Sequence, residues 1–138
     1  MIGFVIVTHA HIGDELNVCA EGILGKQEGI LAVSVDFTKA VDVARAEIEE
    51  AVKAVDQGDG VIIMTDMFGG TPSNISLSFL ENPKVEVITG VNLPMLIKGI
   101  TLRKDHQLTD LCGHLEEYGR RGIIVASTLL KEQQGRTV

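Results

Sequence analysis

Aromatic side chains make up only 4% of this chain, and tryptophan is absent. Its core must therefore be built mainly from Ile, Val, Leu and Ala. With 45% hydrophobic and 22% charged residues, the composition is that of a globular protein rather than a disordered one. Positive charge is also in short supply, and the net charge is -7. That excludes nucleic acid as an expected partner, because neutralising phosphates takes clustered Lys and Arg. A basic protein partner stays compatible. The two cysteines, Cys19 and Cys112, match no metal spacing and are expected to be reduced thiols outside the chemistry, with Cys19 on the apolar face of a helix. The N-terminus lacks a basic region, and its apolar run stops at Val7, too short for a signal sequence. No apolar run approaches the ~20 residues of a membrane span. A cytoplasmic location is expected.

Nucleotide-binding signatures are missing too. No Gly-x-Gly-x-x-Gly occurs, and the nearest phosphate loop, Gly25-Lys26, has Ala20 at the first glycine position and Gln27 in place of Ser or Thr. No bound cofactor or metal is expected.

The organising stretch is Gly60 to Asn74. A short apolar run reads as a buried strand ending on the carboxylate Asp66. Gly69-Gly70 follows, and Thr71-Pro72 begins a helix with proline in its first turn. Strand, acid, glycine turn and helix start, in that order, form an anion-binding arrangement.

The remaining chain alternates strands and helices over one expected domain, residues 1–130, with a polar and loose tail at 131–138. Ile2 to Val7 is a nearly all-apolar strand of the kind covered on both faces, followed by Thr8-His9-Ala10-His11. A helix opens at Gly13-Asp14. Gly29 to Val35 is a second strand, and Asp36 or Thr38 is expected to cap a long helix reaching about Asp56. After the Gly60–Asp66 strand and a helix from Pro72 to about Leu80, Val85 to Thr89 forms a fourth strand. Gly90-Val91-Asn92-Leu93-Pro94 leads into another helix, Leu108 to Tyr118 is helical, and Gly122 to Ala126 is a final short strand. This alternation predicts an α/β fold: a three-layer sandwich with a mainly parallel central sheet flanked by helices. Ligand crevices of such sheets lie at the carboxyl ends of the strands. His9, His11, Asp36, Asp66 and Gly90 to Asn92 occupy those ends.

His9 and Asp66 each stand just past a buried strand, and neighbouring strands would bring them together. An imidazole with one N–H held by a carboxylate offers its other nitrogen as a nucleophile in a fixed tautomer. A phosphoryl acceptor has that need, with Gly69, Gly70 and Thr71 as candidate donors to the transferred group. The bland alternative is an ordinary loop histidine and a helix-end acid. His9 and His11 with Asp66 also suggest a metal, but three ligands from two loops are few. A receiver-type phosphorylation of Asp66 would want an acidic pair after the first strand, where Thr8-His9 stands. The exposed or inward setting of Met67-Phe68 beside the acid stays open. If exposed, the pair would serve a docking surface.

Three blocks, Val5-Ile6-Val7-Thr8-His9-Ala10, Thr65 to Asn74, and Gly90 to Leu96, together resemble the mannose-family enzyme IIA of the bacterial phosphoenolpyruvate-dependent sugar phosphotransferase system. The resemblance covers about residues 1 to 127. It implies that His9 accepts phosphate from the phosphocarrier HPr and donates it to an enzyme IIB, serving a membrane IIC/IID complex indirectly. Asp66 would orient His9 through its Nδ1 hydrogen, and the Gly69-Gly70-Thr71 loop would lie beside the phosphoryl group. It also implies a homodimer in which the Gly122–Ala126 strand adds to the partner's sheet. His11 is not a fixed feature of the family motif. A second function class uses the same residues: a regulatory phosphoprotein that signals energy or carbon state without transporting sugar.

Overall fold

A computed structural model describes residues 1–136. Its elements are β1 (Gly3–His9), α1 (Ile12–Leu24), β2 (Ile30–Val35), α2 (Val41–Val55), β3 (Val61–Thr65), α3 (Thr71–Leu77), β4 (Val85–Thr89), α4 (Leu93–Leu102), α5 (Leu108–Arg121) and α6 (Ala126–Arg136). A single 3₁₀ turn, Ser78–Glu81, extends α3. The strands form one sheet in the order β2-β1-β3-β4, and every pairing is parallel. The expected α/β sandwich is present.

Alternation along the strands sorts the core into two halves. Val5, Val7, Val33, Val35, Val61 and Ile63 face α2 and α3, meeting Ala44, Ile48, Val55 and Ile75. Ile2, Phe4, Ile6, Ile62 and Met64 face the other side, where Ala20, Leu96, Leu111 and Leu115 cover them. A strand buried on both faces has no polar side to show water, which is why β1 reads as a continuous apolar run. Strand order reverses at β1, with β2 on one side and β3 on the other. The crevice therefore opens where His9 leaves the sheet.

The C-terminal region departs from expectation. Gly122 ends α5 as a turn, residues 123–125 pair with no strand among the described residues, and α6 begins at Ala126. A strand exists only through a neighbour's hydrogen bonds, and a single chain offers Ile123, Ile124 and Val125 none. The tail beyond Leu130 is helical as far as Arg136 rather than loose, while residues 137 and 138 lie outside the described set. Neither Asp36 nor Thr38 caps α2. Asp36 instead accepts from the Thr38 amide at 2.8 Å and the Thr38 hydroxyl at 2.7 Å, closing its own turn. Cys19 is exposed, not packed on an apolar face.

One buried cation gave no sequence signal. Arg103, at the end of α4, is 1% exposed and forms no ion pair among the described residues. It donates to the carbonyls of Glu28 at 2.6 Å, Gly29 at 3.3 Å and Ile2 at 3.4 Å, and stacks 5.3 Å from the Phe4 ring. Burial pushes its pKa down. The guanidinium thus clasps α4 to the entry of β1 and β2. Arg103→Ala removes the guanidinium donor from these carbonyls, of which Gly29 keeps the Phe4 amide at 2.9 Å, and opens a cavity. It is expected to cost roughly 2–4 kcal/mol of stability, read as a lowered midpoint in urea denaturation.

Candidate active site at the ends of β1 and β3

His9 and Asp66 meet because of register. Val7 pairs with Thr65, so the two chains leave the sheet side by side, His9 two residues past that pair and Asp66 one. Asp66 Oδ2 accepts the His9 backbone N–H at 3.0 Å and lies 2.8 Å from His9 Nδ1. Its other oxygen, Oδ1, accepts the Met67 amide at 3.2 Å. Two bonds converging on one oxygen fix the imidazole relative to its own main chain. With the hydrogen on Nδ1, the lone pair is on Nε2. The His9 side chain is 26% exposed and that of Asp66 13%, so the carboxylate is sheltered while the imidazole reaches solvent.

The glycine loop lies against that free nitrogen. A Cβ placed on Gly70 would stand 3.2 Å from His9 Cε1 and 3.3 Å from Nε2, and Gly70 has φ +103°, a conformation L side chains rarely adopt. Both space and backbone therefore demand glycine there. Gly69 precedes it with φ +83°. The amides of Gly69, Gly70 and Thr71 have no acceptor among the described residues, and Gly70 ends at α3 with Pro72 in the first turn.

Neighbouring loops hold this geometry. Thr8, fully buried, accepts the Gly13 amide on its hydroxyl at 2.8 Å and pins the β1–α1 turn. Gly90 and Val91 both donate to the Thr65 carbonyl at 2.9 Å, and Asn92 caps α4 through Met95 at 3.0 Å while donating to Gly119 at 2.9 Å. The Gly90–Asn92 block thus braces β3, α4 and α5, and makes no hydrogen bond to His9 among the described residues.

Other candidates separate from the centre. His11 bonds Asp14 and Ser34 rather than Asp66, and no group of three or more His, Cys, Asp or Glu suited to a metal occurs among the described residues. His106 and His114 stack edge to face 4.9 Å apart on the far helical layer. Burial, aided by Glu86, pushes the Cys112 thiol up to about 12, which leaves it inert. Met67 and Phe68 are 54% and 73% exposed, so the pair faces outward. Phe37 is the residue the sequence reading missed. The Asp36–Thr38 turn carries its ring to 6.0 Å from the His9 ring at 31°, with 89% exposure. A rare aromatic directly after a strand end at the crevice was the available signal.

A family model described as "PTS system fructose IIA component" matches residues 3–116. The chain belongs to the mannose-type enzyme IIA family of the sugar phosphotransferase system. It is 28% identical over 96% of its length to the fructose-specific EIIA component of Bacillus subtilis, covering 91% of that protein. It is 31% identical over 88% of its length to the mannose-specific EIIAB component of Escherichia coli K12, of which it spans 38%. The crystal structure of a phosphotransferase system EIIA from Streptococcus agalactiae superposes with a TM-score of 0.85 at 26% identity, covering 93% of this chain and 99% of that one. Such components are phosphotransferase relay proteins. Among the described residues, no helix is long and apolar enough to cross a membrane.

The Asp66 clamp predicts a tautomer. Nitrogen NMR shifts of His9 should report the Nδ1–H form in the wild type, since a hydrogen bond to a charged acceptor is worth ~1.5–3 kcal/mol and biases the equilibrium about tenfold or more. Asp66→Asn is expected to erase that bias and give averaged shifts for the two ring nitrogens.

Proposed function

We propose that His9 Nε2 accepts a phosphoryl group from phospho-HPr and donates it to a histidine of an enzyme IIB, for carbohydrate uptake through a membrane IIC/IID complex. The observation that carries this reading is the Asp66 Oδ2 clamp on His9, with Nε2 left facing a glycine loop. In the transfer, the Nε2 lone pair forms the new bond to phosphorus as the bond to the donor's nitrogen breaks. The positive charge that develops on the imidazole falls on the ring edge facing Asp66. The free amides of Gly69, Gly70 and Thr71 serve the phosphoryl oxygens. No co-reactant is needed, because one N–P bond is exchanged for another of similar energy. Reversibility suits a relay. Phe37, Met67 and Phe68 form the apolar rim for the docked protein, and transfer takes place in the cytoplasm.

The same reading includes a homodimer. β4 is an edge strand, paired only with β3, and a cleft of about 480 Å³ runs beside it, lined by Glu86, Ile88, Cys112, Glu116, Arg120 and Ile123 among others. Ile123, Ile124 and Val125 are 80%, 59% and 67% exposed, an apolar β-branched run with no cover. Exchange of this segment between two copies supports both features at once, adding a strand to each open edge.

Incubation with phosphoenolpyruvate, enzyme I and HPr should place one acid-labile phosphoryl group per chain, mapped to His9 by fragmentation at neutral pH. His9→Ala is expected to lose stoichiometric uptake, and stoichiometric uptake retained in that variant would overturn the reading. Asp66→Ala should slow uptake by roughly a hundredfold, as expected for loss of a positioned charge partner. Gly70→Ala should slow it similarly by crowding Nε2. For the dimer, Ile124→Asp is expected to shift the sedimentation mass from two chains to one. A mass of two chains retained in that variant would count against the exchanged segment.

A further inference from the structure

Next to the His9 pair, α1 and β2 hold a second imidazole with the same atoms engaged. His11 Nδ1 lies 3.0 Å from Asp14 Oδ2, close to the 2.8 Å of the His9–Asp66 contact. Ser34 Oγ donates to the same Asp14 oxygen at 2.8 Å and lies 3.1 Å from His11 Nδ1. Ser34 is in register with Thr8 in the sheet, so the cluster ties the start of α1 to β2. The hydrogen bond from His11, then that from Ser34, hold the Asp14 carboxyl below the usual carboxylate range, so it stays an acceptor.

The arrangement is not that of a serine hydrolase. There the hydroxyl meets the nitrogen opposite the carboxylate, whereas Ser34 and Asp14 both engage Nδ1. Ser34 acts as a brace for the carboxylate. With the Nδ1 hydrogen held, the lone pair sits on Nε2, and the His11 side chain is 79% exposed. An exposed pair three residues apart on a helix would alone be an ordinary surface contact worth little. Two further features set this one apart. A third side chain from another element fixes the carboxylate, and an almost wholly apolar groove of about 370 Å³, lined by His11, Ile12, Glu15, Leu16 and Cys19, runs beside it. The groove begins at His11, two residues past His9 at the same end of β1.

We propose that His11 Nε2 is a second phosphoryl acceptor, charged by the same phosphohistidine carrier that serves His9. This inference rests on the reading that such a carrier docks at His9. The lone pair of Nε2 attacks phosphorus, the donor's N–P bond breaks, and its electron pair returns to the donor imidazole. The hydrogen stays on Nδ1, hydrogen-bonded to Asp14, so no proton or co-reactant is exchanged. His11 lacks the glycine loop, its neighbouring Gly13 amide is already used by Thr8, and Asp14 and Glu15 repel the incoming charge. Occupancy is therefore roughly tenfold below that of His9, the scale of one lost charge-assisted hydrogen bond.

The test uses the full chain with phosphoenolpyruvate, enzyme I and HPr, followed by fragmentation mapping at neutral pH. In His9→Ala, a minor label of roughly a tenth of wild-type uptake is expected on His11. It should vanish when His11→Ala is added and fall severalfold when Asp14→Asn is added. Label on His9 in the wild type with none on His11 in His9→Ala overturns this proposal and leaves the His9 reading intact. Absence of label on wild-type His9, with HPr itself phosphorylated, overturns the underlying reading. Phosphoramidate serves as a small donor that needs no docking. Label on His11 from phosphoramidate but none from phospho-HPr marks an accessible imidazole only and overturns the relay role, and undiminished label in the Asp14→Asn variant overturns the orienting carboxylate.

Discussion

A single carboxylate oxygen, Asp66 Oδ2, takes hydrogen bonds from both the main chain and the side chain of His9. Everything else in the fold serves that convergence. Two donors from one residue can reach one oxygen only if β1 and β3 emerge at a fixed offset. That offset is the parallel register that pairs Val7 with Thr65. A register slip of one residue would turn the apolar side chains of β1 to the wrong layer, and since β1 is buried on both faces the whole packed core resists it. The site's precision is thus borrowed from the core, with Arg103 fastening the opposite end of β1 to the entry of β2.

Much of this was legible in the residues. Strand ends at His9 and Asp66 follow from apolar runs stopping at polar residues, and parallel topology follows from helices between strands. The glycine pair was legible as a turn. That Gly70 abuts Nε2 was not, because close approach is a property of two loops together. Phe37 escaped notice for a related reason. Nothing local says that the Asp36–Thr38 turn aims its ring at an imidazole from another strand. Gly90 to Asn92 stands at a strand end as a ligand-binding loop would, yet the Gly90 and Val91 amides are spent on the Thr65 carbonyl.

The C-terminal segment is a different case. Ile123, Ile124 and Val125 have strand composition, and composition states a preference without supplying a neighbour. In one chain the preference goes unmet, while the residues after it satisfy their own backbone as α6. Cys19 departs for another reason. Helical spacing marks it as an apolar-face residue, but α1 covers the sheet with Leu16 and Ala20 and leaves the flank of that stripe exposed. Periodicity fixes the direction of a face, not its width.

An open rim suits this chemistry better than a pocket would. A small substrate needs a cavity to exclude water and hold it in place. A phosphoryl group delivered on a protein brings its own wall. Phe37 places exposed apolar surface near the His9 ring, and Met67 and Phe68 expose more directly after Asp66; in the proposed relay, contact with a partner would bury these side chains and dry the site only during transfer. The acidic charge of the chain disfavours acidic partners and leaves basic ones to approach. On the proposed reading the free protein needs little catalytic apparatus of its own: one oriented nitrogen, a loop of amides and a surface that another protein can close.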